Sequence, residues 1–522
     1  MNGLFTLPAV LPYAETHYKF KLPYSPLFKK WPEIFIDGPR FCVPGKKPRY
    51  YLAIKDADFF PVRICEVNVT LQYAGKLETQ ILELNHLANR QMEFLVLNVE
   101  FPEDAGRILI NAKIVVENKK GRRREIFNSN LSGLGHTPLV LEMLRDPLPY
   151  PENWFAGETH CHSSYTSNPI EFGAPLKVLQ ETADALGLGY VVCTDHSWDF
   201  YYDKDNFMAN IDPGVKWQQY RREALDLNTN KETLPLIIPG EEISCGNHLG
   251  QNVHMIVMGY PDFIPGLGDG GRRWLNNRPC RTIREVLEEI GNTPCFAAHP
   301  RVRMALMERF IFRRGIWHEK DITPNPPAGK LTGLQFWNGH RKRDFSLGRT
   351  FWVRQLLNGH RLLPAGGNDA HGDLNYHTGV KFPLLSLYLS MNHIFGMVRT
   401  LVQTQGNHRV GIDDIQQGMR KGNQICTDGP FLSLELEGSR LTVTARSITG
   451  FGDLHKIHLF SGAKGEPKET VVKSWVHEPG VFEFQDSLTV DKSVDYLRAE
   501  GWTWKDKLAI TSPVFLNGNV EE

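Results

Sequence analysis

Trp154–Ser163 reads WFAGETHCHS: a short apolar entry followed by His-x-His. On an extended strand alternate side chains share a face, so His160 and His162 point the same way while Cys161 points away. Two imidazoles so placed can hold one divalent cation. Four further motifs follow: Thr194-Asp195-His196, Gly240-Glu241-Glu242, Ala298-His299-Pro300 and Asn368-Asp369-Ala370-His371. Each closely follows a short apolar run: Tyr190–Cys193, Leu236–Ile238, Cys295–Ala298 and Leu362–Ala365. Residues just past the ends of parallel strands gather on one face of an α/β barrel, so motifs distant in sequence are expected to converge. A single histidine is usually an ordinary core or surface residue; five histidine or carboxylate motifs at strand ends argue for a metal site. The mixed nitrogen and oxygen set suits Zn²⁺, Mn²⁺ or Fe²⁺, and Glu242 and Asp369 are carboxylates able to bridge two ions.

Around this stretch, helix-like segments alternate with the apolar runs. Pro175–Leu186 opens on proline, Thr282–Ile290 opens on a Thr-x-x-Glu capping box and closes at Gly291, and Ser346–Asn358 ends at Gly359. The alternation predicts βα units over residues 151–426. Residues 1–150 instead alternate apolar and polar positions in short runs such as Val67–Tyr73, Glu93–Val99 and Ile108–Glu117, which predicts a β-sandwich. The three prolines of Asp146–Glu152 suit a boundary between the two. Residues 427–522 return to strand alternation, as in Leu432–Leu436 and Leu441–Ala445, and predict a small C-terminal β domain. The expected fold class is therefore α/β with β-rich flanks.

The order of motifs resembles the PHP superfamily, named for its polymerase and histidinol phosphatase domains. The resemblance covers roughly residues 154–375 and places the metal ligands on His160, His162, His196, Glu242, His254, His299, Asp369 and His371. It implies a distorted (β/α)7 TIM-like barrel, two or three metals, and hydrolysis of phosphoesters by metal-activated water. By its pattern, His160, His162, Glu242 and Asp369 share one ion, with Glu242 bridging to a second held by His254 and His299. Asp428-Gly429-Pro430 and Ile510–Phe515 are similar to the branch that includes carbaryl hydrolases. Two positions depart from the pattern. Ser167 stands where a third metal has an aspartate, leaving that site to His196 and His371 unless Asp199 or Asp203 substitutes. Gln335 stands where many members have glutamate, with Asn338 in its expected place.

His196 is expected either to ligate or to act as general acid, and Arg301 to pair with an anionic small-molecule substrate. Basic residues such as Arg301, Arg303 and Arg341 in the pocket would favour phosphoesters. An apolar, Trp-lined pocket would favour a carboxylic ester, carbamate or amide. A non-catalytic binding protein with a degenerate site is the third reading. Composition excludes other classes. Lys+Arg and Asp+Glu are both 59, so the electrostatic excess of a nucleic-acid binder is missing. No apolar run reaches membrane-spanning length, and Met1–Phe20 lacks the basic start of a signal peptide. The 8 cysteines form no C-x-x-C pair and read as free thiols of a reducing, cytoplasmic compartment. Gly266–Gly271 fits G-x-G-x-x-G but follows Pro265 rather than a strand, so a loop over the active site is expected there, not a dinucleotide site.

Overall fold

The computed structural model describes residues 31–516 except 131–133, 167–172, 203–210, 231–233, 269–276, 305–308, 311, 324–328, 342, 373, 376–377, 383–384, 390–392, 406–409 and 491–492. Ser167, Asp203 and the second half of the Gly266–Gly271 motif lie outside the described residues.

The N-terminal alternation becomes two sheets. One pairs Glu33–Asp37, Tyr50–Lys55 and Met92–Leu97; the other orders Phe41–Cys42, Leu139–Met143, Arg107–Asn118, Val62–Tyr73 and Lys76–Ala88. The inward positions Ile64, Val67, Val69, Leu71, Ile110, Ile114 and Leu139 share one core with Ile34 and Leu52. The period-2 pattern puts these apolar residues on one face of each strand.

The site-bearing strands are β1 (Trp154–His162), β2 (Tyr190–His196), β3 (Leu236–Gly246), β4 (Asn252–Met258), β5 (Cys295–Ala298), β6 (Gly333–Asn338), β7 (Leu363–Gly367) and β8 (Ala370–His371). They do not form the expected (β/α)7 barrel. Of the described residues, 44% are in strands against 17% in helices. Although β1, β2 and β3 run parallel, β3, β4 and β5 are antiparallel in succession, and β1 is antiparallel to β9 (Arg399–Gln403). Only residues 247–251 separate β3 from β4. A parallel crossover needs a dozen or more residues, so a connection this short folds back as a hairpin.

The same sheet continues through β9, β10 (Gln424–Thr427), β11 (Leu454–Gly462), β12 (Thr470–Val476), β13 (Tyr496–Thr503), β14 (Leu508–Thr511) and the short strand Val514–Phe515, all paired antiparallel, to make 15 strands among the described residues. Strands from both sides of residue 427 thus share one hydrogen-bonded sheet. The helices α1 (Leu176–Ala185), α2 (Pro213–Asn230), α3 (Ile283–Ile290), α4 (Arg343–Leu357) and α5 (Ile412–Arg420) cover parts of it. In α3 both capping-box bonds form: Glu285 N–H donates to Thr282 Oγ1, and Thr282 N–H to Glu285 Oε2. All 8 cysteines are free. Among the described residues no helix is long and apolar enough to cross a membrane.

Candidate metal centre

Every residue of β1 from Ala156 to His162 is buried, so the His160 and His162 rings lie inside the protein. Their Nε2 atoms stand 3.2 and 3.4 Å from Glu242 Oε2 on β3, and 3.3 and 3.1 Å from Asp369 Oδ1. His196, ending β2, brings Nδ1 to 3.1 Å from Glu242 Oε2. The other oxygen, Oε1, lies 2.8 Å from His254 Nδ1 on β4 and 3.0 Å from His299 Nε2 after β5. His371 completes the group, its ring stacked 3.9 Å from that of His162. All eight sequence-assigned ligands therefore lie together. Three overlapping sets can each hold a metal ion: His160, His162, Glu242 and Asp369; His196, Glu242 and His254; and His162, His196 and His371.

The donor atoms fit a metal better than they fit one another. Glu242 Oε2, wholly buried, faces three ring nitrogens, yet none of these contacts has hydrogen-bond geometry. His162 Nδ1 and His371 Nε2 are likewise buried without a hydrogen-bond partner among the described residues. Buried polar atoms are normally paired, so such a set marks a place built for another species. Burial alone would raise the Glu242 and Asp369 carboxyls; the surrounding histidines, His160 foremost, outweigh it and hold both well below the usual carboxylate range. Burial, with His371 and His196 nearby, pushes His162 well below the ordinary imidazole value and so keeps it neutral, the ligating form.

Backbone strain marks the same place. His299 and Asp369 adopt φ of 30° and 54°, sparsely populated for residues with a side chain. Gly367 lets β7 approach closely: a Cβ there would stand 2.8 Å from His160 Cβ.

Behind the ligands sits a tier that sequence reading missed. Glu158 precedes a β-bulge between Glu158 and Cys161 that breaks the strand's alternation, so a strict two-residue period carried no signal for it. Its Oε1 accepts from the N–H groups of His160 (3.1 Å) and Asn368 (3.0 Å), its Oε2 from Asn368 Nδ2 (2.5 Å) and Gly396 N–H (2.9 Å). Burial pushes its carboxyl up to about 7, these donors opposing. Asp195 accepts from the backbone and hydroxyls of Ser163 and Thr166, fixing the turn after β1. Gln335 accepts from His299 N–H at 2.9 Å and donates to Asn338 Oδ1 at 3.1 Å, while Asn338 Nδ2 donates to Asp369 Oδ2 at 3.1 Å. The departure at position 335 thus leaves an orienting chain, for which a neutral amide that both donates and accepts is suited.

A cleft of about 130 Å³ opens beside His299, lined also by Arg301, Asn338, His340, Phe345 and His393. Arg301 reaches it, donating to Trp317 O (3.2 Å) and stacking on Phe351 (5.2 Å), with no carboxylate partner among the described residues. Arg303 is paired with Asp344 (2.9 Å), and Arg341 with Asp506 (3.0 Å). Asp199 is buried near His196 but joins none of the three sets. Of Gly266–Gly271, the described part docks on β3, where Leu267 bridges Ser244.

No family model matches the chain, and no curated protein matches it. Among solved structures it is similar to a β-D-mannosidase from Dictyoglomus thermophilum, at 10% identity over 93% of this chain and 67% of that one, TM-score 0.25. It is also similar to a calcium-binding mutant of Bacteroides uniformis β-glucuronidase 2, at 12% identity over 92% of this chain, TM-score 0.19; the chain spans 60% of that protein's length. A Parabacteroides merdae β-glucuronidase matches at 9% identity over 92% of this chain and 77% of that one, TM-score 0.17. Superpositions this loose assign neither fold nor activity.

Proposed function

We propose that the protein is a metal-dependent hydrolase, acting on an anionic ester and most plausibly a phosphoester. One observation carries the reading: six histidines and two carboxylates converge, buried, with Glu242 shared between the overlapping sets. The order of these residues along the chain, which resembles the PHP superfamily, supports it.

His160, His162, Glu242 and Asp369 would hold one ion. Glu242, His254 and His299 would hold a second, and His196 with His371 would take part in a third if another ligand completes it. Such ions supply Lewis acidity and lower the pKa of water to near neutrality. The chain's own residues do the rest. Glu158, Asn368 and Gln335 fix the ligands, and burial keeps the His162 ring neutral. Arg301, with no carboxylate partner among the described residues, would pair with an anionic substrate in the cleft. His196 or His371 would hold the proton for the leaving group.

The test is metal quantification on protein purified without chelator, followed by ester hydrolysis with each metal restored. His160→Ala and Asp369→Ala should each lower bound metal, and activity by about 100-fold or more. Full activity in either folded variant would refute the assignment.

A further inference from the structure

A second cleft, of about 250 Å³, shares His340 with the cleft beside His299. Its charged lining is Arg341, Asp428, Lys505, Asp506 and Lys507. Two turns deliver these side chains, and hydrogen bonds fix both. In the first, Gly339 takes φ of 63°, donates its N–H to Gly367 O at 2.9 Å and accepts from Trp337 Nε1 at 3.0 Å. His340 and Arg341 thus follow closely on Asn338, which donates to Asp369 of the candidate metal centre. In the second, between β13 and β14, Thr503 N–H donates to Lys507 O at 2.9 Å and Lys507 N–H to Thr503 Oγ1 at 3.1 Å. Asp428 is tied to the same turn, its Oδ1 accepting from Leu508 N–H at 2.7 Å.

Positive charge exceeds negative charge here. Asp428 Oδ2 faces two cations, Arg341 at 3.7 Å and Lys507 at 3.9 Å, which are ion-pair rather than hydrogen-bond distances. Arg341 also pairs with Asp506 at 3.0 Å, but the Asp506 side chain is 85% exposed, where water and salt screen it. Lys505 Nζ donates to a neutral acceptor, Thr449 O, at 2.9 Å. Arg399, next to Val398 of the lining, is 1% exposed and donates to Gly396 O and the Tyr150 hydroxyl, with no carboxylate partner among the described residues. Burial lowers the Lys507 ammonium most, and Arg40, Arg341 and Arg399 lower it further against the pull of Asp428. An anion placed among these groups would offset their mutual repulsion.

We propose that this second cleft binds an anionic group that the substrate carries at a distance from the ester being cleaved. The proposal rests on the hydrolase reading and deepens it. The substrate has two separated anionic groups, one beside the metal centre and Arg301, the other between Arg341 and Lys507. His340 borders both clefts, so one elongated molecule can occupy the two together. Two linked groups bind more tightly than either alone, and the gain peaks when the linker matches the span.

Calorimetry on the metal-loaded full chain tests this with methylphosphonate and a series of α,ω-alkane bisphosphonates of increasing length. One length should bind about tenfold or more tighter than methylphosphonate. The Lys505→Gln, Lys507→Gln double variant should lose that advantage at unchanged metal content and methylphosphonate affinity, and the corresponding double arginine variant should keep it. A wild-type series without a favoured length overturns the proposal, and if the double variant then also binds less methylphosphonate, the cleft serves a separate small anion instead. A favoured length that persists in the glutamine variant overturns it as well. Should that variant not fold, Lys505→Gln alone, at an exposed position, decides by the same criterion. If the wild-type chain takes up no metal, the hydrolase reading falls. Inorganic phosphate titrated into the metal-free chain then tests the cleft by itself, and equal binding by wild type and variant overturns it.

Discussion

Glu158 supports the candidate metal centre without belonging to any of its candidate ligand sets. It is wholly buried, and its two oxygens receive four donors from β1, the turn before β8 and Gly396. Those donors belong to His160 itself and to Asn368, the neighbour of Asp369, so Glu158 sets the separation of two ligands. Glu158→Gln would turn an amide N–H₂ toward groups that are already donors. Metal affinity should fall by roughly 10- to 100-fold while the ligands remain present, as for other residues that orient ligands. Competition with a chelator measures this; an unchanged metal affinity would remove Glu158 from the positioning tier. The sequence carried no hint of this role, since a bulge between Glu158 and Cys161 breaks the alternation that would relate Glu158 to His160 and His162. Arg314, His340 and His393 carried none either, because they come from irregular segments where no period relates a residue to its direction.

At the scale of elements, α3 was legible to the residue. Thr282, Glu285 and Gly291 sit where capping chemistry requires them, and both reciprocal bonds form. Thr282→Ala should cost about 1 kcal/mol, read as a lower unfolding midpoint with the metal centre intact. The C-terminal strands offer a pH test. Asp486 accepts from Lys473 Nζ at 2.7 Å and Trp475 Nε1 at 2.8 Å, and these bonds, that from Lys473 first, lower its carboxyl from 3.8 to about 2. A depressed carboxyl contributes stability that is present above pH 3.8 and lost as pH falls through about 2. Acid unfolding followed by circular dichroism should therefore differ between wild type and Asp486→Asn above this window and converge below it. Parallel curves would show that the pair contributes nothing. Strand direction was the element-level property that stayed hidden. β2, β3 and β4 are buried on both faces, and such runs read alike whether the neighbour is parallel or antiparallel.

Across the whole molecule, the N-terminal sheets reach the segment that follows His371 of the candidate metal centre. Asp37, wholly buried, accepts from Leu374 N–H at 2.8 Å and Asn375 N–H at 2.7 Å, just beyond His371. Asn375 Nδ2 in turn donates to Val140 O. Asp37→Ala would leave two buried donors unmatched, at a cost of about 1–3 kcal/mol each. It should lower thermal stability and loosen metal retention together; loss of stability with metal affinity unchanged would show that the contact supports the fold alone. The Asp146–Glu152 segment is also tied down, Asp146 accepting from Thr449 and Tyr150 donating to Gly429 O.

By itself the sequence singled out the eight residues that converge on the candidate metal centre, several helix and strand bounds and the β character of both ends, because these depend on residue type, capping and short-range period. The tertiary structure alone decided that the site-bearing strands belong to a mixed sheet of 15 strands rather than a (β/α)7 barrel. It alone brought Arg314 to His254 and Asp37 to the segment beyond His371. Strand order and direction are set by long-range pairing, where connection length and burial on both faces compete, and no local pattern records which partner wins.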